Sequence, residues 1–143
     1  MKIALITDTH WGVRNDNLAF MDNSKKFLDD VFFPYLDHNN IDTVVHLGDL
    51  VDRRKYININ TARRLREDFL EPLAFRKLKV HFIAGNHDTY YKNTNSINAL
   101  REIIDGVSDH FIIYDQFPKE VEFGSTTVLM TPWICDENKK ITF

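Results

Sequence analysis

Short apolar runs alternate along this chain with longer stretches in which apolar residues return every three or four positions. Residues 2–7 are the first run; they are apolar and β-branched without a helical period, which predicts a buried strand. The polar stretch 13–23 predicts a loop. Ser24 is placed to cap a helix in which Phe27, Val31 and Tyr35 recur every four residues, with Leu28, Phe32 and Leu36 alongside. Pro34 falls inside that pattern and should kink the helix or end it early. A turn at 37–40 leads into a second strand at 43–47. A second helix is predicted from about Thr61, with Ala62, Leu65, Phe69 and Leu73 as its apolar stripe. A third strand spans 79–84 and a loop spans 90–95. Ser96 is placed to cap a third helix through Ile97, Leu100, Ile103 and Ile104. Residues 111–114 read as a fourth strand. Residues 120–123 and 126–131, joined by Gly124-Ser125, read as a β-hairpin. The polar run 136–140 predicts no further element.

The first hundred residues or so thus repeat strand and helix three times. This predicts an α/β fold, a mostly parallel sheet with covering helices. The hairpin predicts that the sheet is mixed. A chain of 143 residues, 43% hydrophobic, with a net charge of -3, suits one soluble domain with a real core. That charge excludes a basic coat for nucleic acid over the whole surface but leaves room for a local basic groove. The single cysteine, Cys135, excludes an intrachain disulfide framework and fits a reducing compartment. The first apolar run stops at Asp8, too early for a signal peptide, and no later run approaches a membrane span. A cytoplasmic protein with no membrane partner is expected.

The chemistry gathers where the apolar runs stop. Three successive strands end in Asp8-x-His10, Gly48-Asp49-x-x-Asp52 and Gly85-Asn86-His87-Asp88. Right-handed crossovers bring those ends to one edge of the sheet, where ligands of open α/β sheets gather. Gly48 lets the backbone turn sharply, which holds Asp49 at a rigid strand end. Carboxylate, imidazole and amide oxygen together suit a borderline divalent ion such as manganese, iron or zinc. A central carboxylate flanked by ligands can bridge two ions. Ions about 3.5–4 Å apart acidify a shared water and hold phosphate oxygens for in-line displacement. Arg54 and Lys55, with Arg53 beside the second strand end, are candidates for contact with a phosphate backbone, with a solvated loop as the equal alternative. Trp11, Tyr90 and Tyr91 are placed to stack on an unpaired base, although packing of their loops is the commoner use. His46 reads as a satisfied strand histidine, His81 and His110 as strand or loop histidines, and His38 as a helix C-terminal residue.

In order and spacing, the segments TDTHWG, HLGDLVDRR and AGNHD resemble the calcineurin-like metallophosphoesterase superfamily. DTHWG, DLVDRRK, AGNHDTYYKN and TPWICDEN narrow the resemblance to nuclease subunits of phage recombination endonucleases and of the SbcCD-type repair complexes. This implies the first part of an αββα sandwich and two divalent ions, manganese first, with iron or zinc as alternatives. Asp8 and His10 would bind the first ion, Asp49 would bridge, and Asn86 would bind the second. His87 would face the scissile phosphate without being a ligand, oriented by a hydrogen bond to Asp88. Asp52 and Arg53 would support the ligands or anchor their loops. The implied partners are DNA, an ATPase subunit of the long coiled-coil type, and a second copy of the chain. A phage source would place the protein in the infected host's cytoplasm.

The family pattern continues with a further histidine and a Gly-His-x-His segment, and this sequence has no Gly-His pair. Residues 1–143 are therefore expected to be an incomplete nuclease domain. It would be a fragment, a split subunit completed by a second chain, or a degenerate relative, and the uncovered second face would expose apolar surface. Two alternatives stand beside the nuclease. One is a phosphatase or cyclic-nucleotide phosphodiesterase on the same apparatus. The other is a truncated, non-catalytic binding module.

Overall fold

The computed structural model describes residues 1–142; Phe143, the end of the expected domain, lies outside the described residues. Four parallel strands, β1 (Ile3–Ile6), β2 (Thr43–His46), β3 (Lys79–Ile83) and β4 (Phe111–Tyr114), form one sheet in the order β1-β2-β3-β4. Ile3 pairs with Thr43, Thr43 with Lys79, and Val80 with Phe111. Strands β5 (Lys119–Phe123) and β6 (Thr126–Met130) are the expected hairpin. It does not join the sheet but forms a two-stranded sheet of its own, so the four-stranded sheet is parallel throughout and not mixed. A short helix, Lys139–Thr142, follows where no element was expected.

Strand alternation sorts the side chains onto two faces. Ala4, Ile6, Val44, Val80, Phe82 and Ile113 face the helices and share their core with Leu36, Leu65, Phe69, Leu73 and Leu100. Val45, Ile83 and Tyr114 face the other way, where Phe123 and Met130 of the ribbon cover them. That cover is partial. Leu5 is 65% exposed and Leu47 45%, so the apolar surface toward β1 is open.

The helices differ from expectation mainly at their beginnings. Residues 13–23 are not a loop: a one-turn segment α1 (Val13–Asp16), with Arg14 and Asn15 left-handed, leads into helix α2 (Leu18–Phe27). Asn17, not Ser24, caps α2 by accepting from the Ala19 N–H at 2.9 Å. Helix α4 (Ile59–Leu65) is capped by Asn58, and α6 (Ala99–Ile103) by Asn98 rather than Ser96. Each asparagine holds extended backbone while its side-chain oxygen takes a free N–H of the first turn. Neither Pro34 nor Pro72 breaks its helix. Each follows a π-helical turn, Leu28–Phe32 before α3 (Phe33–His38) and Arg66–Leu70 before α5 (Glu71–Phe75). Widening the turn, so that the Phe33 N–H reaches Leu28 O and the Glu71 N–H reaches Arg66 O, relieves the ring's clash with the carbonyl one turn back.

Candidate metal centre

The sheet edge carrying the C-termini of β1, β2 and β3 holds the three predicted segments together. Past the strands the backbones stay laced: Asp8 N–H donates to Gly48 O, His10 N–H to Asp49 O, and Trp11 N–H to Leu50 O, at 2.9 to 3.1 Å. Asp8, His10 and Asp49 all have left-handed φ, at 53°, 42° and 54°. Non-glycine residues seldom adopt this conformation, and several together mark a backbone bent for its side chains. Gly48, at φ 116°, supplies the turn expected of it. Gly85 does a job that spacing did not reveal. A Cβ there would lie 2.2 Å from Asp49 Oδ1 and 2.4 Å from Asp49 N, so only glycine admits the Asp49 carboxylate.

Nitrogen or oxygen atoms of His10, Asp49 and His87 all lie within 4.8 Å of one another. His10 Nε2 is 3.3 Å from Asp8 Oδ1 and 3.8 Å from Asp49 Oδ2, and the His10 and His87 rings meet edge to face at 4.9 Å. The His87 backbone N–H donates to Asp49 Oδ1 at 2.9 Å. The Asn86 amide lies against the same carboxylate. With its nitrogen inward it donates to both oxygens, at 3.2 and 3.1 Å. With its oxygen inward, oxygen confronts oxygen, an arrangement that a cation between them relieves. Two carboxylates, the His10 imidazole and an amide oxygen, with the His87 ring beside them, therefore fit a borderline divalent ion. Asp8 sits at the exposed rim, where the Thr7 hydroxyl donates to it at 2.6 Å and holds its carboxyl below the usual range against the opposing effect of burial.

His87 is oriented, but not by Asp88. Its Nδ1 bonds to the backbone carbonyl of Asp52 at 2.5 Å. Because a carbonyl only accepts, Nδ1 carries the proton and Nε2 is left for other work. Asp88 is fully buried, and its carboxylate accepts from the N–H groups of Gly85 at 2.9 Å and Val51 at 3.1 Å. It ties the loop after β3 to the loop after β2. Burial pushes its pKa up to about 6, opposed by those N–H donors. The Asp52 side chain lies 3.4 Å from His10 Nδ1, within ion-pair reach but misaligned for a hydrogen bond. Asp52 thus touches both imidazoles. Arg53 anchors its loop, pairing with Asp16, donating to Gly12 O at 3.3 Å and lying over the Tyr56 ring.

The remaining candidates fall apart from this cluster. Arg54 reaches Tyr91 O at 3.5 Å and Lys55 lies over the Tyr90 ring, around a neighbouring cavity of about 270 Å³. Trp11 is buried against Phe69 and packs the loop, so it offers no free face to a base. His46 is the satisfied histidine expected, with consequences for the site. Gly48 N–H donates to its Nδ1 at 3.3 Å, its Nε2 meets the Thr9 hydroxyl at 3.0 Å, and that hydroxyl donates to Leu50 O at 3.3 Å. This bridge joins the β1 and β2 loops, and nothing in the spacing of Thr9 and His46 announces it. His81 is buried under the ribbon and bonds the Tyr114 hydroxyl at 2.8 Å.

A parallel sheet with its acids and imidazoles at the C-terminal edge defines the class: the chain belongs to the calcineurin-like phosphoesterase family, which it matches over residues 1–137. Members of that family work with divalent metal ions, in keeping with the His10–Asp49–His87 group. More particularly, the chain is 32% identical over 142 residues to exonuclease subunit 1 of Enterobacteria phage T4. That alignment takes in 96% of this chain and 40% of the phage protein. Among the described residues, no helix is long and apolar enough to cross a membrane.

Proposed function

We propose that this chain carries the metal-binding part of a DNA nuclease that hydrolyses phosphodiester bonds with two divalent ions, manganese being the first to test. The observation that carries the reading is the convergence of His10, Asp49 and His87 at three strand ends in a phosphoesterase chain. Asp8 and His10 would hold one ion, Asn86 the other, and Asp49 both. The bound ions would supply an activated water and positive charge for the phosphate oxygens.

The chain's own groups would do the rest. With its Nδ1–H held by the Asp52 carbonyl, His87 would present Nε2 to the phosphate, and as the doubly protonated imidazolium it would stabilise developing charge and hand its Nε2 proton to the leaving oxygen. Asp88 would act as a positioning residue, holding the Gly85 and Val51 backbones and so the two loops. Arg54 and Lys55 would contact the DNA backbone. The similarity to a phage exonuclease subunit favours a nucleic-acid substrate and a companion subunit over a phosphatase or cyclic-nucleotide reading; DNA as that substrate, a role in recombination and repair, and an ATPase as that companion are what the motif resemblance adds. The open face around Leu5 and Leu47 favours further ligands from another polypeptide segment or a second chain, packed as a homodimer or as a completing subunit.

Manganese binding by calorimetry and hydrolysis of bis-para-nitrophenyl phosphate test this reading. Asp49→Ala should abolish both. His87→Ala should keep at least one bound ion while lowering turnover about 100-fold or more. Binding without turnover in the wild-type chain would point to the completing segment, and no binding at all would leave the non-catalytic module in front. Hydrolysis of a monoester in preference to a short oligonucleotide would favour the phosphatase.

A further inference from the structure

The segment TPWICDEN marked the chain as nuclease-like, yet none of its residues enters the metal cluster. Its place in the fold gives it a use. Trp133 N–H donates to Ala84 O at 2.8 Å, which fixes it beside the loop that carries Asn86. Its carbonyl accepts from the side chains of Asn95 at 2.7 Å and Asn138 at 3.0 Å. Asn138 also takes the Cys135 N–H at 2.9 Å, closing the turn behind. The backbone of Trp133 is thus held on both sides of its Cα. The side chain is treated differently: it is 42% exposed, and its indole makes no hydrogen bond to the described residues. It lines an open cavity of about 540 Å³ together with Asp8, Asp49 and Asn86.

Large aromatic side chains on rigid backbone lose little freedom when a flat ligand settles on them, and every nucleobase has a flat face. Trp11, the other tryptophan, is buried in the helix-side core. Trp133 is therefore the tryptophan displayed beside the candidate metal ligands Asp8, Asp49 and Asn86. We propose that Trp133 is a stacking platform for the base next to the scissile phosphate, and that it makes the site prefer a single-stranded or frayed nucleotide chain over base-free phosphoesters. This inference rests on the nucleic-acid reading of the metal centre.

The test is binding, measured on the 143-residue chain with manganese present, by tryptophan fluorescence and by calorimetry. The probes are a thymidine trinucleotide and the same sugar-phosphate chain without bases. The trinucleotide should quench the exposed fluorescence and bind roughly 10- to 100-fold more tightly than its base-free counterpart. Trp133→Ala should lose that preference, and Trp133→Phe should keep most of it. Since the wild-type chain alone compares the two probes, the test survives an unstable alanine variant. Equal affinity of the wild-type chain for both probes, no binding of either, or unchanged preference in Trp133→Ala would each overturn the proposal. So would an indole already shielded from iodide in a dimer seen by ultracentrifugation, which would give this surface to a second copy of the chain. Failure of the nuclease reading looks different: preference for the base persists while the chain neither binds manganese nor hydrolyses bis-para-nitrophenyl phosphate.

Discussion

Asp49 shows how much of this site hangs on single atoms. Its carboxylate touches the His87 backbone and the Asn86 amide and sits in the space left by the missing Cβ of Gly85. Gly85→Ala should therefore cost about 2–3 kcal/mol in urea unfolding and also lower manganese affinity, since relieving the clash moves Asp49. Lost stability with unchanged affinity would show that the carboxylate can shift and still bind. Asp8, Asp49, Asn86 and His87 were legible because each follows an apolar run cut short by a polar residue. The orientation of His87 was not legible, because its partner is the backbone carbonyl of Asp52, and every residue has one. Asp88 looked like that partner by adjacency, but its carboxylate turns inward to Gly85 and Val51.

At the scale of elements, strands were easier to read than helix starts. An apolar run of four or five residues announces β1, β2 and β3, whereas Asn17, Asn58 and Asn98 are ordinary polar residues until the turn after them is known. Ser24 and Ser96 read as caps in two of those places because the apolar period begins just after Ser24 and near Ser96; α2, with Met21 as its buried residue, shows little such period in its first turns. The caps differ in weight. Asn58 accepts from two N–H groups at an exposed helix start, so Asn58→Ala should cost about 1 kcal/mol. Asn98 is buried, and it also donates to Asp115 and to Asn95 O. Its loss removes a buried donor from each of them, although Arg101 still holds Asp115, and Asn98→Ala should cost about 2–3 kcal/mol. Thermal unfolding of the two variants gives the order, and equal shifts would contradict it. The π turns before Pro34 and Pro72 left no mark in the pattern, because a widened turn shifts the apolar stripe by a single position.

For the whole molecule, three buried groups set the response to acid. Burial lowers His46 and His81 to about 4 from an ordinary 6.5. Between those values the unfolded chain takes up protons that the folded chain refuses, so stability is fully present above pH 6.5 and is lost as pH falls toward 4, by about 3 kcal/mol per histidine. Asp88 acts in the opposite sense. Raised to about 6, it keeps its proton when folded while the unfolded carboxyl at 3.8 gives it up, so its contribution is full below 3.8 and lost as pH rises through 6. Two histidines outweigh one aspartate, and the metal-free protein should lose urea resistance from pH 7 to pH 4. Asp88→Asn should steepen that loss; parallel curves would refute the assignment. The parallel sheet and its helical cover were visible from three repeats of strand and helix. The detachment of the hairpin was not, since pairing with β4 or with itself uses the same apolar alternation.

The strands stand in the sheet in the order in which they leave the ribosome. Each new strand needs only to dock beside the one just made, with its helix closing the same side, so the sheet can grow by addition and need not wait for distant partners. The candidate site residues accumulate on the same schedule, Asp8 and His10 first, Asp49 next, Asn86 and His87 last. During synthesis, then, the full set comes together only once β3 has joined, before the β5–β6 ribbon exists to shelter Val45 and Ile83. For that interval the nascent chain holds a gathered set of metal-seeking groups beside a bare apolar face, and a cation arriving then could fasten three strand ends while the shelter is still being made.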